Sequence, residues 1–114
     1  MPYFSIETNQ TIDPESTPEL LKKTSAFIAG LLGKPESYLM ISIQPGTPLI
    51  FGGSDEPAAF VRLKSIGLPH DRCPELSAKI CGHIAQELDI PQDRVFIDFK
   101  DLEGQMFGWN GKTF

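Results

Sequence analysis

Two stretches decide the fold. Residues 17–32 read Thr-Pro-Glu-Leu-Leu-Lys-Lys-Thr-Ser-Ala-Phe-Ile-Ala-Gly-Leu-Leu, and residues 73–88 read Cys-Pro-Glu-Leu-Ser-Ala-Lys-Ile-Cys-Gly-His-Ile-Ala-Gln-Glu-Leu. They lie 56 positions apart and share Pro18/Pro74, Glu19/Glu75, Leu20/Leu76, Lys23/Lys79, Ile28/Ile84, Ala29/Ala85 and Leu32/Leu88. The same ungapped shift over the whole chain also aligns Phe4/Phe60, Pro35/Pro91, Ile41/Ile97, Phe51/Phe107 and Gly52/Gly108. Twelve of 58 pairs are then identical, where about three or four would follow from ordinary composition. Self-similarity at a fixed period marks an internal repeat. The chain of 114 residues reads as a single domain made of two like halves, 1–57 and 58–114.

Each half reads strand, helix, strand. Tyr3 to Thr8 alternates Phe4 and Ile6 against Ser5 and Glu7, the period of a strand. Thr17 suits the N-cap of the first helix, Pro18 its first turn, and Glu19 the positive end of its dipole. Leu20, Leu21, Thr24, Phe27, Ile28, Leu31 and Leu32 then share one face, until Gly33-Lys34-Pro35 stops the helix. Leu39 to Gln44 is the returning strand. In the second half the strands are Ala59–Lys64 and Val95–Lys100, around a helix whose apolar line is Leu76, Ile80, Ile84 and Leu88. A crossover helix makes the two strands of each unit parallel, with a right-handed connection. The expected fold is an α/β two-layer protomer, a duplicated β-α-β with a four-stranded mixed sheet and two helices on one face. The other face would be uncovered, and Met40 and Phe96 put apolar groups on it. An oligomer in which sheets face one another is therefore expected, although Ser42, Gln44, Asp98 and Lys100 make that face partly polar.

Composition excludes several classes of function. Leu, Ile, Val and Phe supply 32 of 114 residues, too many for a disordered chain. No apolar run approaches the roughly 20 residues of a membrane-spanning helix. The start Met-Pro-Tyr-Phe-Ser-Ile lacks the basic and apolar regions of a secretory signal, so a cytoplasmic location is expected. A net charge of −5 without a basic block argues against nucleic acid as a partner. Cys73 and Cys81 are spaced neither as a redox pair nor as a zinc knuckle, and read as reduced, largely buried thiols. His70 and His83 do not make a metal site, and no cofactor is expected.

The chemistry concentrates at Pro2. Aminopeptidase removal of Met1 before a small side chain would leave proline as the first residue, with a secondary amine in place of an amide. A free α-amino group titrates near ~7.7–8.0, and burial or a nearby cation lowers that further. Such a base suits abstraction of a proton beside a carbonyl. Lys34, just past the first helix, could anchor a carboxylate and depress the amine. Ser65-Ile66-Gly67 ends the third strand, and Phe107, Trp109 and Phe114 gather aromatics near the C-terminus.

These residues resemble the macrophage migration inhibitory factor family of the tautomerase superfamily. The likeness runs over the whole chain in order. It is carried by Met1-Pro2-Tyr3-Phe4, Thr8-Asn9, Gly33-Lys34-Pro35 with Tyr38, and Phe51-Gly52-Gly53-Ser54 with Glu56-Pro57. It continues through Ser65-Ile66-Gly67, Cys81-Gly82, Asp93-Arg94-Val95, Gly108-Trp109-Asn110 and Thr113-Phe114. The resemblance implies a homotrimer whose sheets wall a central barrel, with sites between neighbouring protomers. It implies keto–enol tautomerisation of phenylpyruvate-type 2-keto acids, with Pro2 as general base. By the same likeness Lys34 matches the carboxylate-binding lysine, and Ile66 the residue whose backbone amide meets substrate. Tyr38, Phe107, Trp109 and Phe114 match a hydrophobic rim.

The chain departs from the family pattern at three places. Phe96 stands where a tyrosine is common and Asp98 where an asparagine is common, so hydroxyphenylpyruvate is expected to be a poor substrate. The stretch Glu56-Pro57-Ala58-Ala59-Phe60-Val61 lacks a CxxC, so oxidoreductase activity is not expected. Two other readings stand beside tautomerisation. One is a cytokine-like interaction protein, reached without a signal peptide and acting on a receptor, with a vestigial pocket. The other is Pro2-dependent chemistry on a different acid, which the lack of an arginine before Arg62 disfavours.

Overall fold

The computed structural model describes residues 1–114. Its main elements are β1 (Tyr3–Thr8), α1 (Thr17–Leu32), β2 (Met40–Gln44), β3 (Ala59–Ile66), α2 (Cys73–Leu88) and β4 (Val95–Leu102). A hairpin of β5 (Gly108–Trp109) and β6 (Lys112–Thr113) follows. Adding 56 to the bounds of α1 gives those of α2, and adding it to the 3-10 turn Glu36–Tyr38 gives the turn Gln92–Arg94. The main sheet has the order β2-β1-β3-β4, with β1/β2 and β3/β4 parallel and β1/β3 antiparallel at the join between the halves.

The expected architecture holds, with corrections at element ends. Ser16, not Thr17, precedes α1, and its side chain makes no capping bond. Thr17 Oγ1 instead donates to the Asp13 carbonyl at 3.1 Å, so the turn before the helix takes the hydroxyl. At the other end Gly33 adopts φ 65°, and the Lys34 amide returns to the Ala29 carbonyl at 3.0 Å. That left-handed residue is what frees Lys34 from the helix. In α2 the equivalent stop is Asp89 at φ 57°, two residues before Pro91. β2 begins at Met40 because Leu39 closes the preceding 3-10 turn. β3 and β4 run on to Ile66 and Leu102, paired as Ser65–Asp101 and Ile66–Leu102.

The core lies between the sheet and both helices. Phe4, Ile6, Val61 and Leu63 face Ile28, Leu76, Ile80 and Ile84, all buried. Full burial of each such side chain stabilises by roughly 1.5–3 kcal/mol. Polar groups in the core are bonded: Thr8 Oγ1 donates to the Ala58 carbonyl at 2.7 Å, and Thr24 Oγ1 meets His83 Nε2 at 3.0 Å. His83 also stacks on Phe27, with ring centroids 4.3 Å apart. Cys81 is buried, which raises its thiol pKa, whereas Cys73 is only half-buried, less enclosed than expected. Arg94 clamps the 51–57 loop, donating to the carbonyls of Phe51, Ser54, Glu56 and Pro57 at 2.9–3.1 Å.

The uncovered sheet face is mixed in polarity, as strand alternation in the sequence implies. Strand alternation sends Ile41, Ile43, Ile97 and Phe99 toward the helices. The outer face holds Tyr3, Met40, Phe60 and Phe96 among Glu7, Arg62, Lys64, Asp98 and Lys100. Met40 and Phe96 are its two widely exposed apolar side chains, at 67% and 63%. These are the two apolar groups expected there from strand alternation. No helix is long and apolar enough to cross a membrane.

Candidate active site

The start of β1 is fixed by its partners. The Met40 amide donates to the Pro2 carbonyl at 3.2 Å, and Tyr3 pairs with Met40 on one side and Lys64 on the other. Pro2 is thereby buried at the edge of a cavity of about 470 Å³. Its walls include Met1, Pro2, Tyr38, Phe107, Trp109 and Phe114, with Lys64 as the only charged side chain among them.

Lys34 reaches the same corner from the end of α1. Its ammonium donates to Ser65 Oγ at 3.0 Å and to the Ile66 carbonyl at 2.8 Å. Two of its three N–H groups are used in this way, which leaves one for another acceptor. The amino group of Met1 lies against the same ammonium. Burial first, then the charge of Lys34 and its hydrogen bond, hold that amine below the ordinary α-amino range. An amine at this corner is therefore biased toward its neutral, basic form.

The apolar wall is built from two ends of the chain. The 3-10 turn after Lys34 presents Tyr38, whose ring meets Trp109 edge-on at 5.5 Å and Phe114 at 6.4 Å. Trp109 stacks on Phe114 at 5.8 Å, and Phe107 on Phe114 at 6.0 Å. The β5–β6 hairpin sets this spacing. Its turn is Asn110-Gly111, both at positive φ, the arrangement a two-residue hairpin requires.

Of the residues nominated from sequence, Pro2, Tyr38, Phe107, Trp109 and Phe114 line one cavity, with Lys34, Ser65 and Ile66 bonded together beside it. Phe96 and Asp98 lie elsewhere within the protomer. Phe96 packs on Phe51 at 4.7 Å beside a second cavity, of about 530 Å³, and Asp98 stands opposite Arg62 in the sheet register. Lys64 was not nominated. Its signal was its place one residue before Ser65, on the strand parity opposite to the core.

A duplicated β-α-β sheet with two helices on one face, and a proline-edged cleft beside a lysine, is the architecture that the resemblance to the tautomerase superfamily implies. A family profile described as macrophage migration inhibitory factor matches residues 1–114. A macrophage migration inhibitory factor homolog of Trichuris trichiura is 43% identical over 115 residues, covering 100% of both chains. The crystal structure of a homologue from Prochlorococcus marinus superposes with a TM-score of 0.91 at 43% identity, covering 98% of each chain. The structure from Trichinella spiralis gives a TM-score of 0.90 at 41% identity, covering 98% of this chain and 99% of that one. The chain belongs to the macrophage migration inhibitory factor family.

Proposed function

We propose that the chain is a keto–enol tautomerase of phenylpyruvate-type 2-keto acids, with the Pro2 amine, freed by loss of Met1, as its general base. The carrying observation is geometric: Pro2 is buried at the edge of the aromatic cavity, and the Lys34 ammonium lies against the Met1 amine that precedes it. Removal of Met1 would put the Pro2 nitrogen beside the same lysine and open the space that Met1 fills.

The neutral amine takes a proton from the carbon beside the ketone and returns it to the oxygen of the enolate. Lys34 holds the carboxylate with its remaining N–H, and the backbone at Ile66 flanks it. Tyr38, Phe107, Trp109 and Phe114 receive the phenyl ring. Orientation of the acidic carbon toward a poised base in an apolar cavity supplies the acceleration. Assembly as a homotrimer belongs to the same reading, since it would bring Phe96 and Asp98 of a neighbouring protomer toward each cleft. Family membership also supports a cytokine-like role, in which receptor binding would not need the amine.

The test is ultraviolet-monitored conversion of enol-phenylpyruvate by protein whose N-terminus mass spectrometry identifies as Pro2. Pro2→Gly runs beside it. Loss of conversion in the variant is expected. Equal rates in both proteins would remove Pro2 as the base.

A further inference from the structure

The Lys34 ammonium is placed by two acceptors at the end of β3, Ser65 Oγ and the Ile66 carbonyl. Gly67 follows at φ 68° and turns the chain off the sheet. Glycine is the least restricted of residues, so the direction of the Ile66 carbonyl depends on what holds the chain beyond it. That hold comes from Asp101 on β4. Asp101 pairs with Ser65 in the register, and opposite residues send their side chains to the same face. One carboxylate oxygen accepts the Leu68 amide at 3.1 Å, and the other meets His70 Nε2 at 2.9 Å. The Gly67 amide adds a weaker hydrogen bond.

The Ile66 carbonyl and the Gly67 amide belong to one planar peptide group. Lys34 therefore grips its oxygen side, and Asp101 its nitrogen side. Hydrogen bonds in such a chain polarise one another. The His70 hydrogen bond, against a smaller opposing effect of desolvation, and then the Leu68 amide keep the Asp101 carboxyl below the usual carboxylate range. The group is thus ionised at neutral pH. Neither Asp101 nor His70 lines the Pro2 cavity.

We propose that Asp101 is a positioning residue of the Pro2 cleft: braced by His70, it fixes the turn after Ile66 and thereby sets the Lys34 ammonium against the amino group of the chain. The use made of that lysine, to hold the carboxylate of a keto acid, rests on the tautomerase reading above. Its placement does not.

Two readouts keep these apart. The first is titration of the α-amino group, followed by NMR in the Met1-started chain, where that amine lies against Lys34. Loss of a carboxylate acting directly through space would lower the amine pKa, because an anion favours the charged form. Release of Lys34 from the amine would raise it. Asp101→Ala should therefore raise it, and the isosteric Asp101→Asn, which keeps an acceptor for the Leu68 amide, should raise it less. The second readout is KM for phenylpyruvate in Pro2-started protein. Asp101→Ala should raise it about fivefold, the worth of one neutral hydrogen bond. In a Lys34→Gln background neither effect of Asp101→Ala should persist, since residues that act through one another are not additive. An amine pKa that stays or falls in the folded Asp101 variants overturns the proposal. So does a KM effect of equal size with and without Lys34. Absence of turnover in every protein, wild type included, would sink the tautomerase reading and leave the amine titration to decide the placement.

Discussion

Replacement of Lys34 by Gln tests binding and basicity together. In the folded chain two N–H groups of this ammonium are held by Ser65 Oγ and the Ile66 carbonyl, at 3.0 and 2.8 Å, which leaves the third for a ligand. A charge-assisted hydrogen bond contributes about 1.5–3 kcal/mol. Its loss should raise KM for phenylpyruvate roughly ten- to hundredfold. The same change removes a cation that depresses the neighbouring amine. The amine pKa then rises, the amine stays protonated to higher pH, and the acidic limb of the kcat/KM profile moves to higher pH. At neutral pH these two effects add. The hydroxyl of Ser65 is fully buried and keeps only a long contact of 3.4 Å to the Ile66 carbonyl, so stability should also fall by about 1–3 kcal/mol. Steady-state kinetics from pH 5 to 9 and urea unfolding of Lys34→Gln and Lys34→Arg would measure all three quantities. An unchanged KM together with an unmoved acidic limb in Lys34→Gln would refute the reasoning.

Three further outcomes are expected. His83 has a lowered pKa, mainly through burial and in part through Lys23, with Glu87 opposing. Its neutral form is favoured by folding, so stability present above about pH 6.5 is lost as pH falls through the lowered value. The unfolding midpoint of His83→Gln should therefore depend less on pH between 7 and 5. At Gly104 an added Cβ would lie 2.6 Å from the Phe114 carbonyl oxygen. Gly104→Ala should displace the C-terminal residue, raise KM severalfold and alter the near-ultraviolet dichroism of Trp109, while α1 and α2 keep their far-ultraviolet signal. Phe96→Tyr or Asp98→Asn should raise turnover of hydroxyphenylpyruvate about fivefold, the worth of one neutral hydrogen bond, and no gain in either would remove these residues from the explanation.

Local chemistry explains what the sequence conveyed. The helices were readable because their Pro-Glu-Leu starts and their apolar faces repeat at one interval. Ser16 was missed as the boundary of α1 because Thr17 is an equally good capping residue by type, and only the Asp13 turn decides between them. The β5–β6 hairpin was legible in Asn110-Gly111 but overlooked, since each of its strands has two residues and no period. The extensions of β3 and β4 depend on pairing between residues far apart in sequence, which no local pattern encodes. At the site, Pro2 and the aromatics carried their chemistry in residue type and order. Lys64 did not, because a lysine on the outer parity of a strand reads as solvated until Tyr3 pairs with it at the cavity wall.

The bounds of α1 and α2, related by a 56-residue shift, also say what became of the cleft's twin. The same shift carries Pro2 onto Ala58, Lys34 onto Ile90 and Tyr38 onto Arg94. Ala58 and Ile90 are both wholly enclosed, and the Ala58 nitrogen is an ordinary amide bonded to Asn9 Oδ1 at 3.0 Å. Arg94 grips the loop that corresponds to the aromatic C-terminal segment. A polypeptide has a single amino terminus, so joining two β-α-β units head to tail leaves only one of them able to offer a free amine. The junction itself silences the other half, and here that half serves as a buckle.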